Sequence, residues 1–300
     1  MLFRSAGPSP ADLRDTTVTF ASIDGPTGQI PICRYQPAVS PGEKAALPTL
    51  VWLHGGGFFA GGLHQPESHA VSLALASRGM PVVSVDYRLV PPPGLGWARS
   101  STRRRPVRFP VPMHDVLAAI REVDGESPNG IIVGGASAGA CLAAAAILSA
   151  IDHTVSPRGA VFAYGFFHSM HPAVPEIQRL VRGRRRITHS RRALNLMNRN
   201  YVGSAAALGD RLAFPGGHDL RGFPTTLIIN AERDAMRASG DLFASELAAA
   251  GVKVDHHVIP GARHAFLNTP RHAAFEVGMD LIAGWASDVV LRPPDSQVAG

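Results

Sequence analysis

Apolar residues along this chain follow two spacings, which predict strands and helices in alternation. Residues 16–21 alternate in side-chain character, as in a strand, and are rich in β-branched residues. A second run, 30–35, follows after the turn at 25–28. The two runs together predict an antiparallel hairpin. From residue 47 onward, short apolar runs alternate with segments of helical spacing. This alternation predicts a mostly parallel sheet covered by helices on both faces. The further predicted strands are 47–53, 81–86, 131–133, 160–163, 224–230 and 252–259, and the predicted helices are 68–78, 113–123, 140–148, 238–250 and 272–289.

Two long segments interrupt the alternation. Residues 90–112 are dense in proline, glycine and arginine and predict a surface loop. Residues 165–222 separate two predicted strands where a short crossover would suffice, and connections of that length are usually functional or disordered. The helical spacing of 191–201 favours an ordered cap, inserted after strand 6 of an eight-stranded sheet. The predicted organisation is an N-terminal tail at 1–15, a core formed by 16–164 and 223–290, a cap at 165–222 and a C-terminal tail at 291–300.

Length and composition are those of a globular protein of one or two domains. With 300 residues and 45% hydrophobic content, the chain can bury a large core. Its first residues lack the apolar core of a secretory signal, and no stretch approaches the roughly 18 uninterrupted apolar residues of a membrane helix. Cys33 and Cys141 fall in a predicted strand and a predicted helix, where buried free thiols are typical of a reducing compartment. We therefore expect a cytoplasmic protein without a membrane partner.

The formal net charge is +6 at pH 7, and nearly all of the positive charge is arginine, since Lys44 and Lys253 are the only lysines. A basic chain can bind nucleic acid, but this bias is typical of a GC-rich coding sequence, and no nucleic-acid-binding motif is visible. We expect no nucleic-acid partner. The arginine clusters at 103–105 and 182–186 are either solvated faces or sites that attract an anionic substrate, which would favour carboxylate-bearing esters at low salt.

The segment 135–139, Gly-Ala-Ser-Ala-Gly, carries the candidate nucleophile. It lies between a short apolar run, which predicts a buried strand, and an alanine-rich run, which predicts a buried helix. A G-x-S-x-G pattern between a strand and a helix is typical of a nucleophile elbow, a sharp turn that lifts the serine hydroxyl above the sheet. The context favours this interpretation of Ser137 over an ordinary glycine-rich turn.

A serine hydroxyl needs a base within hydrogen-bond reach, and the base needs a carboxylate that orients it. On such a sheet the partners follow in the order Ser, Asp or Glu, His, each after a strand. Asp234 follows the predicted strand 224–230, and His264 follows 252–259, so both are expected at the edge that holds Ser137. Glu232 stays open as an alternative acid. Poorer alternatives are Asp241 and Asp255 for the acid and His218, His256 and His257 for the base.

The run His-Gly-Gly-Gly-Phe at 54–58 follows a predicted strand and precedes a helix. Its glycines can offer main-chain N–H groups to a developing oxyanion, and Ala138, directly after the nucleophile, offers another. His54 is expected to position this loop and not to transfer protons. Four aromatic residues near the expected pocket rim are candidates for substrate binding, although at least two are expected in the core: Phe58, Phe59, Phe166 and Phe167.

Five motifs in this order resemble the hormone-sensitive-lipase-like branch of the α/β-hydrolases, which are bacterial carboxylesterases of this size. They are HGGGF at 54–58, VDYRL at 85–89, GASAG at 135–139, AERDAMR at 231–237 and GARHAF at 261–266. The resemblance covers roughly residues 16–290.

The resemblance implies an α/β-hydrolase fold, a Ser137–Asp234–His264 triad, and an oxyanion hole formed by Gly55, Gly56 and Ala138. It also implies a preference for short acyl chains, no metal and no cofactor. In the family the final strand and helix often pair in dimers, so a homodimer is an expectation here.

Three departures from the family bear on the substrate. The segment 1–15 is short for the family's N-terminal cap, so the roof of the pocket is expected mainly from 165–222. An arginine-rich insertion follows VDYRL, and Ala136 stands where many relatives carry an acid. The sequence predicts a serine carboxylesterase for a small-molecule ester. The alternatives are an amide or lactone hydrolase with the same triad and a non-catalytic small-molecule receptor on the same fold.

Overall fold

The computed structural model describes residues 16–38, 47–94, 107–151 and 155–291. The predicted N-terminal tail at 1–15 and the arginine cluster at 103–105 lie outside these residues. So does the predicted C-terminal tail, apart from Leu291, which ends the last helix.

The chain forms one eight-stranded sheet, as predicted. The strands are in the spatial order β1-β2-β4-β3-β5-β6-β7-β8. β1 and β2 form the predicted hairpin, β2 also pairs with β4 in antiparallel fashion, and the remaining neighbours are parallel. The strands are β1 (Thr17–Gly25), β2 (Gly28–Gln36), β3 (Thr49–Leu53), β4 (Val82–Val85), β5 (Ile131–Ala136), β6 (Gly159–Ala163), β7 (Thr226–Arg233) and β8 (Val254–Arg263).

Helices cover both faces of the sheet because the central strands β3 to β6 are buried at almost every position and carry apolar side chains on both faces. In β3, Val51 and Leu53 pack into one buried cluster, whereas Leu50 and Trp52 pack into the cluster on the opposite face. Side chains along a strand alternate between the two faces, so a strand with no polar side must be covered twice. The helices are α1 (Pro66–Ala76), α2 (Val111–Glu126), α3 (Ala138–Ile151), α4 (Pro175–Leu180), α5 (Arg185–Thr188), α6 (Arg191–Val202), α7 (Arg237–Ala249) and α8 (Ala273–Leu291).

Cys33 and Cys141 are buried and free. No helix in the described part of the chain is long and apolar enough to cross a membrane.

Residues 165–222, called the cap segment below, connect β6 to β7 and contain α4, α5, α6 and a 3₁₀ turn at Ala206–Gly209. The helix α6 begins after Ser190, whose hydroxyl accepts a hydrogen bond from the Ala193 N–H, and ends at Gly203 in the left-handed conformation. Tyr201 of α6 stacks on Phe58 with ring centroids 3.9 Å apart. This stack ties the cap segment to the loop that follows β3.

The carboxyl ends of the parallel strands meet at one edge of the sheet, below the cap segment. His54, Ser137, Asp234 and His264 are each the first residue after a strand, namely β3, β5, β7 and β8. Candidate side chains from distant parts of the sequence therefore meet where ligands bind in open α/β sheets.

Candidate active site

Ser137 lies on the tight turn between β5 and α3 and has a φ of 53°, in the left-handed region. A serine at that angle is strained, and such strain is typical of functional sites. The turn also needs close approach of the backbone to β3, because a Cβ at Gly139 would collide with the carbonyl oxygens of Leu53 and His54. The small residues around Ser137 thus permit the turn that the G-x-S-x-G pattern predicts.

The side chains of Ser137, His264 and Asp234 form a continuous hydrogen-bonded array. Ser137 Oγ lies 3.0 Å from His264 Nε2, and His264 Nδ1 lies 2.7 Å from Asp234 Oδ2. The nitrogen facing the carboxylate carries the proton in the neutral imidazole, so Nε2 is free to accept the serine proton. The array can therefore turn the Ser137 hydroxyl into a nucleophile.

Asp234 is fully buried, and it is held in place by the backbone as well as by the imidazole. Its Oδ1 accepts a hydrogen bond of 3.0 Å from the Met236 N–H. Burial raises the pKa of Asp234, but the charge and hydrogen bond of His264 and the bond from Met236 outweigh it, so this pKa lies below its ordinary value. Asp234 thus stays ionised and can stabilise a positive charge on His264.

None of the competing acids reaches His264. Glu232 instead accepts a hydrogen bond of 2.8 Å from the Gly261 N–H. Asp241 pairs with His256 at 3.0 Å, and Asp255 accepts the Trp285 indole N–H at 2.9 Å. The alternatives for the base are also displaced, since both His256 and His257 are exposed on the edge strand β8.

The predicted oxyanion donor Gly55 requires a correction. Its N–H donates to Glu67 Oε1 at 2.6 Å and is not open to a ligand. Gly56 and Gly57, in contrast, line the cavity that contains Ser137 and His264. Ala138 is the first residue of α3, where the backbone N–H has no partner within the helix. The available N–H groups therefore belong to the second and third glycines and to Ala138.

Glu67 is a buried carboxylate that the sequence analysis missed. Its oxygens accept hydrogen bonds from Gly55 N–H, Gln65 Nε2 at 3.3 Å, the Tyr164 hydroxyl and Asn268 Nδ2 at 3.1 Å. These donors come from three connecting segments, namely the loop between β3 and α1 and the loops after β6 and β8, so Glu67 fixes the glycine loop relative to the other two. An acid in the first turn of the helix after the glycines was the only available signal, and that signal is weak.

His54 is buried and stacks on Tyr87 with ring centroids 4.4 Å apart. Its Nδ1 lies 2.7 Å from the carbonyl oxygen of Gly55, and it makes no hydrogen bond to Ser137, Asp234 or His264. This environment fits a residue that shapes the glycine loop.

A cavity of about 620 Å³ opens above Ser137 and His264. Phe59 is the only one of the four candidate aromatic residues that lines it. Phe58, Phe166 and Phe167 are buried in the core, where Phe58 stacks on Tyr201 and Phe167 stacks on Phe243. Their assignment to the substrate pocket is therefore wrong, because their rings are already enclosed by other aromatic side chains.

A second array of a serine, a histidine and a carboxylate lies at the base of the cap segment. His168 Nδ1 is 2.7 Å from Ser239 Oγ, and His168 Nε2 is 3.1 Å from Glu246 Oε1. Ser239 is fully buried, and its Oγ also accepts the Phe167 N–H at 2.8 Å. This array joins the start of the cap segment to α7.

Within the described residues, no cluster of three or more histidine, cysteine or acidic side chains has a geometry that could hold a metal ion.

Comparison with known proteins places these features in a family. A family profile described as alpha/beta hydrolase fold matches residues 50–268. Carboxylesterase NlhH of Mycobacterium tuberculosis is 30% identical over 256 residues, covering 82% of this chain and 73% of that protein. Ethyl acetate hydrolase of Pseudomonas putida is 30% identical over 269 residues, covering 86% and 76%. Among solved structures, brefeldin A esterase, a bacterial homologue of human hormone sensitive lipase, is similar with a TM-score of 0.77 and 28% identity, covering 96% of this chain and 81% of that chain.

Proposed function

The chain belongs to the α/β-hydrolase family, and on this premise we propose that it is a serine carboxylesterase that hydrolyses short-chain acyl esters through Ser137, His264 and Asp234. The observation that carries the proposal is the hydrogen-bonded array from Ser137 Oγ through His264 to Asp234, with distances of 3.0 and 2.7 Å, beneath an open cavity. The ester-hydrolase names of the relatives support the choice of bond.

Acylation starts at the Ser137 hydroxyl. As Ser137 Oγ attacks the ester carbonyl carbon, His264 Nε2 takes the hydroxyl proton, and Asp234 stabilises the imidazolium without accepting a proton itself. The tetrahedral intermediate collapses when the C–O bond to the alcohol breaks, and His264 returns its proton to the departing oxygen. Ser137 is then acylated, and the alcohol leaves.

Deacylation repeats these steps with water as the nucleophile. His264 Nε2 removes a proton from the water as its oxygen attacks the acyl carbon, and then protonates Ser137 Oγ as that bond breaks. The products are a carboxylic acid and the free enzyme.

We assign the oxyanion site to the N–H groups of Gly56, Gly57 and Ala138. Gly56 and Gly57 line the cavity beside Ser137, and the Ala138 N–H stands at the start of α3. N–H groups fixed in advance around a developing negative charge are worth about 10²- to 10³-fold in rate per donor.

A short acyl chain fits the space over Ser137. The cavity measures about 620 Å³ and is roofed by cap-segment side chains that include Leu194 and Met197. The name of the Pseudomonas putida relative, ethyl acetate hydrolase, points to the same substrate size. A cytoplasmic location and a homodimer stay predictions from the sequence.

The test compares Ser137→Ala with Ser239→Ala on p-nitrophenyl acetate, butyrate and decanoate. We expect Ser137→Ala to lose at least about 10⁴-fold in kcat and to keep its fold, and Ser239→Ala to retain turnover. The wild type should prefer acetate and butyrate to decanoate. Undiminished turnover in Ser137→Ala would refute the nucleophile, and a preference for decanoate would refute the short-chain assignment.

Two further measurements address the alternatives. A fluorophosphonate should label the wild type once, at Ser137, whereas a receptor without an activated serine should not react. Matched ester, amide and lactone substrates should rank the ester first if the enzyme is a carboxylesterase.

A further inference from the structure

The cavity over Ser137 has two unlike walls. Helix α6 contributes an apolar wall that includes Leu194, Leu196 and Met197. Helix α5 and the residue after it contribute a polar wall formed by Arg185, Thr188 and His189. An ester bound at Ser137 would thus lie in a cavity that offers it both apolar side chains and a guanidinium.

The Arg185 side chain is incompletely paired. Its Nη1 is buried and has no hydrogen-bond partner, and among the described residues the side chain forms no ion pair. Other arginines of the fold are satisfied, such as Arg78 on Glu276 and Arg88 on Asp115. Since burying a charged donor without a partner is unfavourable, the position indicates a partner that arrives with the substrate.

The charges around the cavity leave Arg185 available. Among the described lining residues Glu67 is the only carboxylate, and it already accepts hydrogen bonds from four donors. A neighbouring cavity of about 340 Å³, which also includes His189 in its lining, contains Arg186, Arg191 and Arg192. A surface of one charge sign around a cavity raises the local concentration of ligands of the opposite sign.

His189 lines the same cavity as Arg185 and lies beside the catalytic base. Its ring centroid lies 5.0 Å from that of His264. Burial, followed by the neighbouring His264, lowers the pKa of His189 to about 4, and the charge of Arg185 contributes to the lowering. A neutral His189 leaves the guanidinium as the cation that faces the substrate.

We propose that Arg185 forms an anion subsite in the catalytic cavity and that this enzyme prefers esters that carry a carboxylate, such as monoesters of short dicarboxylic acids. The planar guanidinium can donate two parallel hydrogen bonds to a carboxylate, which gives orientation as well as charge neutralisation. The inference rests on the proposed esterase function and specifies its substrate class.

The experiment measures kcat/KM by ethanol release for monoethyl succinate and for ethyl succinamate, which differ only in a terminal carboxylate and its neutral amide. The enzymes are the wild type, Arg185→Met, Arg185→Lys and the control Arg179→Met. Arg179 belongs to the cap segment too, but it is exposed and paired with Glu176 at 3.8 Å, so the control removes the same charge elsewhere.

We expect the wild type to favour the succinate ester at least about 10-fold and Arg185→Met to reduce that ratio about 10- to 100-fold, mainly through KM. Arg185→Lys should retain part of the preference, and Arg179→Met should retain it all. Added salt should shrink the wild-type ratio. Thermal stability of Arg185→Met should not fall, because the substitution removes an unpartnered donor.

Three results would overturn the subsite. The first is an active wild type that shows no preference for the succinate ester. The others are a ratio of kcat/KM for the two esters that is unchanged in Arg185→Met, or one that falls as far in Arg179→Met as in Arg185→Met. Failure of the esterase proposal itself gives a different pattern. In that case neither ester is cleaved and a fluorophosphonate does not label Ser137, and the subsite inference falls with it.

Discussion

Two hydrogen-bonded arrays in this molecule use the same three kinds of side chain at similar distances. They are Ser137–His264–Asp234 and Ser239–His168–Glu246. In the first, the serine faces His264 Nε2 and the carboxylate faces Nδ1; in the second the two ring nitrogens exchange these partners. Yet the second serine, Ser239 in α7, is fully buried, and its oxygen accepts a hydrogen bond from the backbone N–H of Phe167. Under the proposed function, similar hydrogen bonds therefore serve chemistry in one place and packing in the other.

The difference lies in what surrounds each serine. Ser137 stands on a strained turn, beside backbone N–H groups and beneath a cavity of about 620 Å³. Ser239 belongs to a regular helix, is fully buried and accepts the N–H of Phe167, whose ring stacks on Phe243. A triad-like set of distances is thus a poor guide to activity unless space for a substrate and donors for an oxyanion accompany it.

The largest contrast is expected from neutralising the two carboxylates. Asp234→Asn should lower kcat about 10⁴-fold, because the amide favours the wrong imidazole tautomer and cannot stabilise the imidazolium. Glu246→Gln should leave kcat unchanged, because neither Glu246 nor His168 lines the cavity that contains Ser137. Ester hydrolysis by both purified variants checks this pair, and a comparable rate loss in Glu246→Gln would show that the second array also serves the reaction.

A smaller effect is expected at Glu67, which holds the glycine loop. Glu67→Gln keeps the size of the side chain but replaces one acceptor oxygen by a donor group. Each oxygen of Glu67 accepts from two of the four donors, so two of them lose their acceptor. Displacing the oxyanion donors should lower kcat about 10- to 100-fold with little change in KM.

The matched control for this site is Tyr164→Phe, which removes one donor and keeps the carboxylate. Its loss of kcat should be smaller than that of Glu67→Gln. If KM rose and kcat stayed constant in Glu67→Gln, the positioning role of Glu67 would be wrong.

The smallest effect is expected on the free energy of unfolding at acidic pH, to which Glu246 of the second array contributes. Burial raises the pKa of Glu246, but the hydrogen bond and charge of His168 outweigh it, so the folded-state pKa lies below the ordinary 4.5. Because ionised Glu246 is favoured in the folded state, it stabilises the fold above pH 4.5. This contribution is lost as the pH falls through the folded-state pKa of Glu246.

Wild type and Glu246→Gln should therefore differ in free energy of unfolding at pH 7 and converge on acidification. Denaturant unfolding at pH 7, 5 and 3 measures the gap. A gap that stays constant over this range would contradict the lowered pKa.

Much of the fold could be predicted from the sequence because its elements are strongly patterned. The eight strands, their alternation with helices and the position of Ser137 after β5 all follow from local residue spacing. Asp234 and His264 could be placed because the carboxyl ends of parallel strands share an edge, so chain order alone brings them near Ser137.

The predictions that were wrong, for the pocket aromatic residues and for one oxyanion donor, depend on contacts that residue spacing does not reveal. Phe58 faces Tyr201, and Phe167 faces Phe243, partners that no local pattern identifies. Likewise, Gly55 cannot serve as an oxyanion donor because Glu67, twelve residues later, accepts its N–H. The three glycines are identical in sequence, and only their partners distinguish them.

The backbone angle of Ser137 also bears on how such a protein would evolve. Glycine adopts that angle without strain. If selection for catalytic turnover were lost in a copy of the gene, the single substitution Ser137→Gly would therefore make the protein more stable to heat. A homologue with glycine at this position would then be the expected relic of a lost enzyme.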